Sequence, residues 1–216
     1  MAFSADCRLC PRLAGFLDQV RIAHPDYHSL PVSSFGEPGS RLLIVGLAPG
    51  MHGANRTGRP FTGDFAGNLL YGSLHKYGYA SSPDPLNEAG NANPALILRN
   101  CRITNAVRCL PPQNKPEPGE IRNCNGFVAE ELSLLPKGAA IMALGTIAHQ
   151  AVLTALQLRK SSYAFGHGAR HTLPNGLALF DSYHCSRYNT QTRRLTTAMF
   201  EAVFGDIAGY LEPGNS

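Results

Sequence analysis

Residues 41–67 read RLLIVGLAPGMHGANRTGRPFTGDFAG, and this stretch indicates the fold of the chain. It begins with a continuously apolar run at residues 41–45, which is typical of a strand covered on both faces. A loop rich in Gly and Pro follows, and residues 64–77 then have helical periodicity. A buried strand, a loop and a helix in this order predict one unit of an α/β protein with a parallel sheet.

Three more predicted strands alternate with three more predicted helices. The strands are residues 101–107, 139–144 and 177–182, and the helices are residues 120–135, 146–158 and 195–211. Thr146 is the predicted N-cap of its helix, and Pro118 a predicted first-turn residue. We therefore expect one domain over residues 1–216, a three-layer α/β/α sandwich with a central four-stranded, mainly parallel sheet. Ligands of such sheets bind beyond the carboxyl ends of the strands, after residues 46, 106, 145 and 183.

Composition excludes several classes of protein. Of the 216 residues 44% are hydrophobic and only 16% charged, which excludes intrinsic disorder, and six cysteines are too few for a disulfide scaffold. No apolar run reaches the roughly 20 residues that span a bilayer, and residues 1–12 lack the apolar segment of a signal peptide. We expect a soluble cytoplasmic protein without a membrane partner. The net charge of +4 permits a polyanionic partner without requiring one.

Four cysteines form a candidate metal site. Cys7 and Cys10 form a C-x-x-C pair, and Cys109 and Cys124 bracket a Pro-rich loop at residues 110–118. Four thiolates bind either zinc or an iron–sulfur cluster, and their spacing does not choose between the two. The alternative is that Cys109 and Cys124 are buried apolar residues and that the C-x-x-C is accidental. The other two cysteines are predicted to be ordinary core or loop residues.

The loop after the first strand carries side chains that suit a ligand site. It is neither a dinucleotide fingerprint nor a P-loop, because it lacks G-x-G-x-x-G and G-K-[ST]. Phe61 is either a core residue or a platform on which a planar base stacks. Asp64 is either the N-cap of the following helix or a carboxylate that stabilises positive charge or orients water. The residues alone leave both alternatives open.

Two polar side chains follow other predicted strand ends. Asn105 is either a turn residue or an amide that reads a pyrimidine edge, since an amide both donates and accepts. His184 is the one of eight histidines at an expected site position, and a structural role is its alternative. His167 and His171, in a Gly-rich hairpin-like stretch, have no assigned role.

Together these features resemble the uracil-DNA glycosylase superfamily, and most closely its family 5, the B-type enzymes. The resemblance rests on GLAPG and NRTGRPFTGD within residues 46–64, TNAVRCLPP at 104–112 and SYHCSRYNTQT at 182–192. It also rests on four cysteines placed where families 4 and 5 hold a [4Fe-4S] cluster. It covers nearly the whole chain, from Cys7 to the last predicted helix.

The resemblance implies an enzyme that hydrolyses the N-glycosidic bond of uracil in DNA, and of other deaminated bases such as hypoxanthine, to start base excision repair. The implied cluster ligands are Cys7, Cys10, Cys109 and Cys124, which attach an N-terminal helix to the domain. The implied partner is double-stranded DNA that contains a deaminated base, with single-stranded DNA as a second substrate. We expect a monomer that associates with the nucleoid through DNA.

The resemblance also implies roles for individual residues. Asp64 and His184 are the implied catalytic residues, and the base contacts Gly46, Ala48, Phe61, Asn105 and His184. Phe61 would stack on the base, Asn105 would bond its edge and His184 would face its O2. The implied DNA contacts are Arg56, Arg59, Ser186, Arg187 and Tyr188. Leu47 and Ala48 offer no polar discrimination, so we predict a tolerant pocket. Cys185 departs from the Pro that commonly follows the His, which removes a constraint on the loop.

Two other functions remain as alternatives. One is a non-catalytic DNA-binding module with a four-Cys metal site, although such modules usually carry more Lys and Arg. The other is a hydrolase of free nucleosides that uses the same crevice.

Overall fold

The central sheet of the computed structural model, which describes residues 3–212, has five strands. They are β1 (Leu42–Gly46), β2 (Cys101–Asn105), β3 (Ala140–Leu144), β4 (Arg170–Thr172) and β5 (Ala178–Ser182). Their spatial order is β2-β1-β3-β5-β4, and β2, β1, β3 and β5 are parallel. The four predicted strands are therefore confirmed. Residues 1, 2 and 213–216, at the two ends of the predicted domain, lie outside the described residues.

The fifth strand corrects the predicted strand count. β4 is three residues long and pairs antiparallel with β5 at the edge of the sheet. Its sequence, Arg-His-Thr, contains no apolar run, because the strand is only partly buried. Pairing with β5 therefore decides its conformation, and no local pattern signals it.

Seven helices surround the sheet in the described part of the chain. They are α1 (Pro11–Ala23), α2 (Ala54–Thr57), α3 (Phe65–Lys76), α4 (Pro118–Ser133), α5 (Thr146–Ala155), α6 (Arg187–Gln191) and α7 (Thr197–Leu211). Pro118 begins α4 as predicted, but Gly145 and not Thr146 is the N-cap of α5. Gly145 has φ +94°, a conformation that suits glycine, so the chain turns one residue earlier than predicted. None of these helices has the length and apolarity to cross a membrane.

The helices cover both faces of the sheet, as the predicted three-layer sandwich requires. Leu42 and Ile44 of β1 pack in the apolar cluster that includes α3 and α7. Leu43 and Val45 point the other way, into the cluster that includes α4 and α5. This alternation follows from the pleat of a strand, and burial on both faces accounts for the continuous apolar run. Cys101 and Cys185 are fully buried, which confirms that they are core residues.

The strand order places a crevice at the carboxyl end of β1. This strand pairs with β2 on one side and β3 on the other, so the connections diverge there and open a space between loops. Gly46 ends β1 directly opposite Asn105, which ends β2. Ala106 and Val107 continue to hydrogen-bond to the β1 side beyond the strand, which explains why the predicted strand was longer.

A buried pair, His149 of α5 and Asp181 of β5, links these two elements. His149 Nδ1 lies 2.8 Å from Asp181 Oδ1, and its Nε2 lies 3.0 Å from the Tyr163 carbonyl oxygen. An ionised Asp181 and a backbone carbonyl oxygen both accept hydrogen bonds, and this arrangement favours the imidazolium form of His149, in which both ring nitrogens carry protons. His171 Nε2 lies 3.3 Å from the second oxygen of Asp181. These three side chains are close enough to hold a metal ion, but hydrogen bonds account for their arrangement.

We expect His149→Gln to destabilise the protein by about 3 kcal/mol near neutral pH, because it leaves Asp181 buried without its cation. Burial lowers the pKa of His149, but the hydrogen bond and charge of Asp181 raise that pKa overall above its ordinary 6.5. The stabilisation is therefore complete below about pH 6.5 and is lost as pH rises through the raised pKa.

Urea unfolding of the wild type and the variant at several pH values measures this difference. His75→Gln is the matched control, since His75 hydrogen-bonds only the Ala80 carbonyl oxygen. A stability difference that stays constant from pH 6 to pH 9 would contradict the charged pair.

Candidate active site

A cavity of about 420 Å³ lies at the crevice beyond the carboxyl ends of β1, β2 and β5. Seven of the predicted site residues line it: Ala48, Phe61, Asp64, Asn105, His184, Ser186 and Arg187. They come from three loops and lie up to 139 positions apart in the sequence, from Ala48 to Arg187. The remaining lining is largely apolar, and the volume is within the range of roughly 300–1,000 Å³ typical of ligand sites.

Asp64 is an N-cap, the first of the two roles that the sequence left open, and it also lines the cavity. It is the N-cap of α3, where its Oδ1 accepts a hydrogen bond from the Gly67 backbone N–H at 3.0 Å. Its other oxygen, Oδ2, faces Gly50 and Gly53, and a Cβ on Gly53 would lie only 2.6 Å from it. Burial raises the pKa of Asp64, although hydrogen bonds from Gly67 and Ala66 oppose that rise. The helix N-terminus nevertheless favours the anion, and the glycines leave space beside it.

Phe61 adopts a strained backbone conformation that turns its ring into the cavity. Its φ is +54°, a left-handed value that is a real outlier for a bulky side chain and costs about 1–3 kcal/mol. The ring lies nearly parallel to that of His184, with an interplanar angle of 29° and centroids 6.0 Å apart. Phe61 is therefore buried in the protein and also lines the cavity.

Gly46 leaves room for two of these side chains, although it does not itself line the cavity. A Cβ at this position would collide with the Asn105 side-chain oxygen and would lie 2.6 Å from the tip of the Phe61 ring. Both side chains are buried and cannot easily move away.

We expect Gly46→Ala to lower catalytic efficiency by about 100-fold or more. The added methyl group would displace Asn105 and Phe61, and these side chains would then no longer position the substrate correctly. Gly72→Ala, within α3, is the control, since a Cβ there meets nothing within 4 Å. The catalytic efficiency of both variants is measured on the same substrate. Equal values would contradict the expected displacement of Asn105 and Phe61.

Asn105 lines the cavity and has an unpartnered side-chain oxygen. The residue is 3% exposed, and its Oδ1 is buried without a hydrogen-bond partner among the described residues. A buried carbonyl oxygen without a partner costs about 1–3 kcal/mol, so a donor supplied by a ligand would recover that energy.

His184 is neutral at physiological pH. Burial lowers its pKa to about 4, so it offers one N–H donor and one acceptor nitrogen. Its loop is held by Asn189, whose Nδ2 donates to the His184 carbonyl oxygen at 2.8 Å. His167 fixes the preceding residue, because its Nδ1 accepts from the Tyr183 backbone N–H at 3.2 Å. These bonds stiffen a loop in which Cys185 replaces the common Pro.

Three predicted DNA-contacting residues lie at the mouth of the cavity. Ser186 is the N-cap of α6 and accepts from the Asn189 backbone N–H. The Arg187 guanidinium lies 5.3 Å from the centre of the Phe65 ring, which also lines the cavity. Tyr188 is 71% exposed and lies just beyond the lining residues, so its ring is free to contact a large ligand.

Arg56 and Arg59 lie away from the cavity lining and bond to a protein loop. The Arg56 guanidinium donates to the Gly90 carbonyl oxygen, and that of Arg59 to the Asn93 carbonyl oxygen, both at 2.7 Å. They thereby attach residues 81–94, a loop with no role apparent from the sequence, to the first loop. A DNA contact by either arginine stays a prediction.

Asn114, a polar residue at the outer part of the cavity, was not predicted from the sequence. Asn114 and Gln113 both have left-handed φ values, +57° and +56°, in the three-residue helical turn Pro112–Asn114. The position of the Pro-rich loop, directly after the second predicted strand, did indicate that this loop could reach the site. Its composition did not reveal which side chain turns inward.

The four predicted metal ligands converge beneath the cavity. Cys10, Cys109 and Cys124 are buried in an apolar cluster with residues of α1 and α4, and Cys7 packs against it. Burial, followed by the neighbouring thiols, raises the pKa of Cys109 to about 12. Burial also raises the pKa of Cys124 to about 11, although a hydrogen bond from the Arg108 backbone opposes the rise. Ala48 and Met51 of the first loop also pack against this cluster. An all-sulfur donor set in an apolar surrounding fits a metal–thiolate centre.

The chain is similar to known proteins over most of its length. The family model described as "Uracil DNA glycosylase superfamily" matches residues 33–208. The chain is 48% identical over 202 residues to a type-5 uracil-DNA glycosylase of Thermus thermophilus, covering 91% of this chain and 90% of that protein. A type-5 uracil-DNA glycosylase of Pyrobaculum aerophilum is 36% identical, with 92% and 86% coverage. A type-4 uracil-DNA glycosylase of Archaeoglobus fulgidus is 28% identical over 84% of each chain.

Proposed function

Since the chain belongs to the uracil DNA glycosylase superfamily and is a hydrolytic DNA glycosylase, we propose that it excises uracil and hypoxanthine from DNA. The observation that carries the proposal is the orphaned Asn105 oxygen, which shares one cavity with the carboxylate of Asp64 and the neutral ring of His184. A non-catalytic binding module has no need of a buried carboxylate and an unpartnered amide in the same cavity.

Base recognition combines stacking with one hydrogen bond. A flipped base stacks on the face of Phe61, and its ring N–H donates to Asn105 Oδ1. Uracil and hypoxanthine both present a ring N–H next to a carbonyl group, so both satisfy this acceptor. Leu47 and Ala48 line the wall without polar groups that would reject either base.

Hydrolysis breaks the bond between the sugar C1′ and the base nitrogen. The electron pair of that bond leaves with the base, C1′ gains positive charge, and a water oxygen then bonds to C1′ and releases a proton. The Asp64 carboxylate stabilises the developing cation, and its Oδ1 is held by the Gly67 backbone N–H. Orienting the attacking water is its second role.

The departing base is stabilised by a neutral donor. His184 N–H bonds the uracil O2, where negative charge accumulates as the bond breaks. Because burial lowers the His184 pKa to about 4, the ring is already neutral in the resting enzyme and its N–H is available over the physiological range.

The partner is duplex DNA, in which a mismatched deaminated base flips at lower cost than a paired one. Arg187 would contact a phosphate, and the exposed Tyr188 would occupy the emptied stack. Single-stranded DNA, which needs no unpairing, is the second substrate.

The cofactor we propose is a [4Fe-4S] cluster on Cys7, Cys10, Cys109 and Cys124. Among the described residues no three of the four sulfur atoms lie within 4.8 Å of one another, whereas tetrahedral zinc would hold sulfurs about 3.8 Å apart. The choice of a cluster over zinc rests on the resemblance of the sequence to the families that hold a [4Fe-4S] cluster. When bound, the cluster would link the segments that carry the four cysteines. Two contacts between side chains also link these segments: Arg12 pairs with Glu120 at 2.8 Å, and the Asn123 amide donates to Cys10 Sγ.

Alkali-induced strand cleavage tests the function. The purified protein is incubated with a labelled duplex that contains one U·G pair, with a second duplex that contains hypoxanthine, and with free deoxyuridine. We expect abasic product from both duplexes and none from the nucleoside. Cleavage of deoxyuridine alone would support a nucleoside hydrolase, and binding of both duplexes without product would support a non-catalytic module.

A further inference from the structure

A buried arginine, Arg108, and a partly buried one, Arg102, share one carboxylate next to the cysteine cluster. Arg102 holds Glu131 with two bonds, from Nε to Oε2 at 2.5 Å and from a terminal nitrogen to Oε1 at 3.1 Å. Ser34 also donates to Oε1. Arg108 reaches the same oxygen with one nitrogen only, at 3.1 Å. Two positive charges and one negative charge leave this buried group with an excess of one positive charge.

Arg108 is the less satisfied of the two arginines. Its side chain is 4% exposed, against 17% for Arg102, and its Nε has no hydrogen-bond partner in the described part of the chain. The guanidinium lies 4.6 Å from the centre of the Phe3 ring, which covers it without accepting a conventional hydrogen bond. A buried cation with an orphaned N–H requires a negative partner, because desolvation of a charge costs several kcal/mol.

The cysteine sulfurs are candidates for that partner. Arg108 directly precedes Cys109, its backbone N–H donates to Cys124, and the Cys124 sulfur lies within range of its charge. Phe3 packs against the cysteine cluster and meets Phe127 edge-on at 5.5 Å. The other buried carboxylate in this region, Glu120, cannot serve, because Arg12 already holds both of its oxygens.

We propose that Arg108 is the counter-ion of the metal–thiolate centre, with its charge balancing the negative charge of the four cysteine sulfurs. Four thiolates around one Zn²⁺ or around a [4Fe-4S]²⁺ core leave a net charge of −2, so either centre supplies the missing negative partner. The inference rests on the proposed cluster and adds a residue that binds no metal itself. Such outer partners typically change metal retention by about 10- to 100-fold when removed.

Two substitutions separate charge from packing. Arg108→Met keeps most of the side-chain volume but removes the charge, and Arg108→Lys keeps the charge without the planar group. Arg102→Met is the matched control, because it removes an arginine from the same carboxylate. Each protein is purified with its cluster, and the rate at which the visible cluster absorption disappears in an iron chelator is measured alongside the melting temperature.

We expect Arg108→Met to lose its cluster about tenfold faster than the wild type, while Arg108→Lys and Arg102→Met stay within about twofold. The melting temperature of cluster-free Arg108→Met should equal or exceed that of the cluster-free wild type, since an unpaired buried charge has been removed. Equal rates for Arg108→Met and Arg102→Met, with a coloured wild type, would overturn only this inference. A colourless wild type without bound metal would overturn the proposed cluster as well.

Discussion

Asp64→Asn is expected to slow single-turnover excision of uracil by about 10³-fold while leaving the affinity for uracil-containing DNA nearly unchanged. Asparagine has the same shape and is an equally good N-cap, so the bond to the Gly67 N–H and the start of α3 are retained. Only the negative charge beside the reacting sugar is lost. Single-turnover kinetics and a binding titration on the same duplex separate the two effects.

The control for a purely structural role is Thr196→Ala. Thr196 is the N-cap of α7 and accepts from the Met199 N–H at 3.2 Å, outside the cavity lining. Its loss should cost about 1 kcal/mol of stability without a change in the chemical step. Wild-type rates in Asp64→Asn would remove Asp64 from the mechanism.

The pH profile gives an independent check on Asp64. Because burial raises its pKa, the wild-type rate should fall with decreasing pH at values above the ordinary carboxyl pKa of 3.8. His184, whose pKa burial lowers to about 4, gains a proton only at the acid end of the profile. The residual rate of Asp64→Asn should lack the limb.

Asn105→Ala is expected to slow excision of uracil by about 100-fold and that of hypoxanthine by a smaller factor. Both bases lose the acceptor for their ring N–H, but the larger purine keeps more stacking area on Phe61 and so depends less on the hydrogen bond. Single-turnover rates on matched duplexes measure the two losses.

Asn114→Ala is the matched control, since it removes an amide from the exposed outer part of the same cavity. We expect it to affect both bases by less than tenfold. Equal losses on uracil and hypoxanthine in Asn105→Ala would mean that Asn105 shapes the cavity and does not read the base.

Local patterns predicted the main elements because their signals lie within a few residues. The apolar run of β1 reflects burial on both faces, and Pro118 begins α4 where its missing N–H carries no penalty. The last predicted helix, residues 195–211, is confirmed as α7 but begins at Thr197, because Thr196 caps it. The separate short helix α6 has no apolar periodicity and was not predicted.

The residues of the candidate site were predicted largely because parallel strands bring their carboxyl ends to one edge. Asp64, Asn105 and His184 each follow such an end and do meet in one cavity. Their chemical states could not be predicted in this way. The unpartnered oxygen of Asn105 and the neutral ring of His184 result from burial by residues that are distant in the sequence.

Residue type and local spacing were enough to predict the α/β architecture, the loops that carry the site and the four candidate metal ligands. The edge strand β4, the pairing of His149 with Asp181 and the excess positive charge of the group formed by Arg102, Arg108 and Glu131 arise only in the folded chain. Strand pairing, desolvation and charge balance act between segments that meet only when the chain is folded, and no local pattern encodes them.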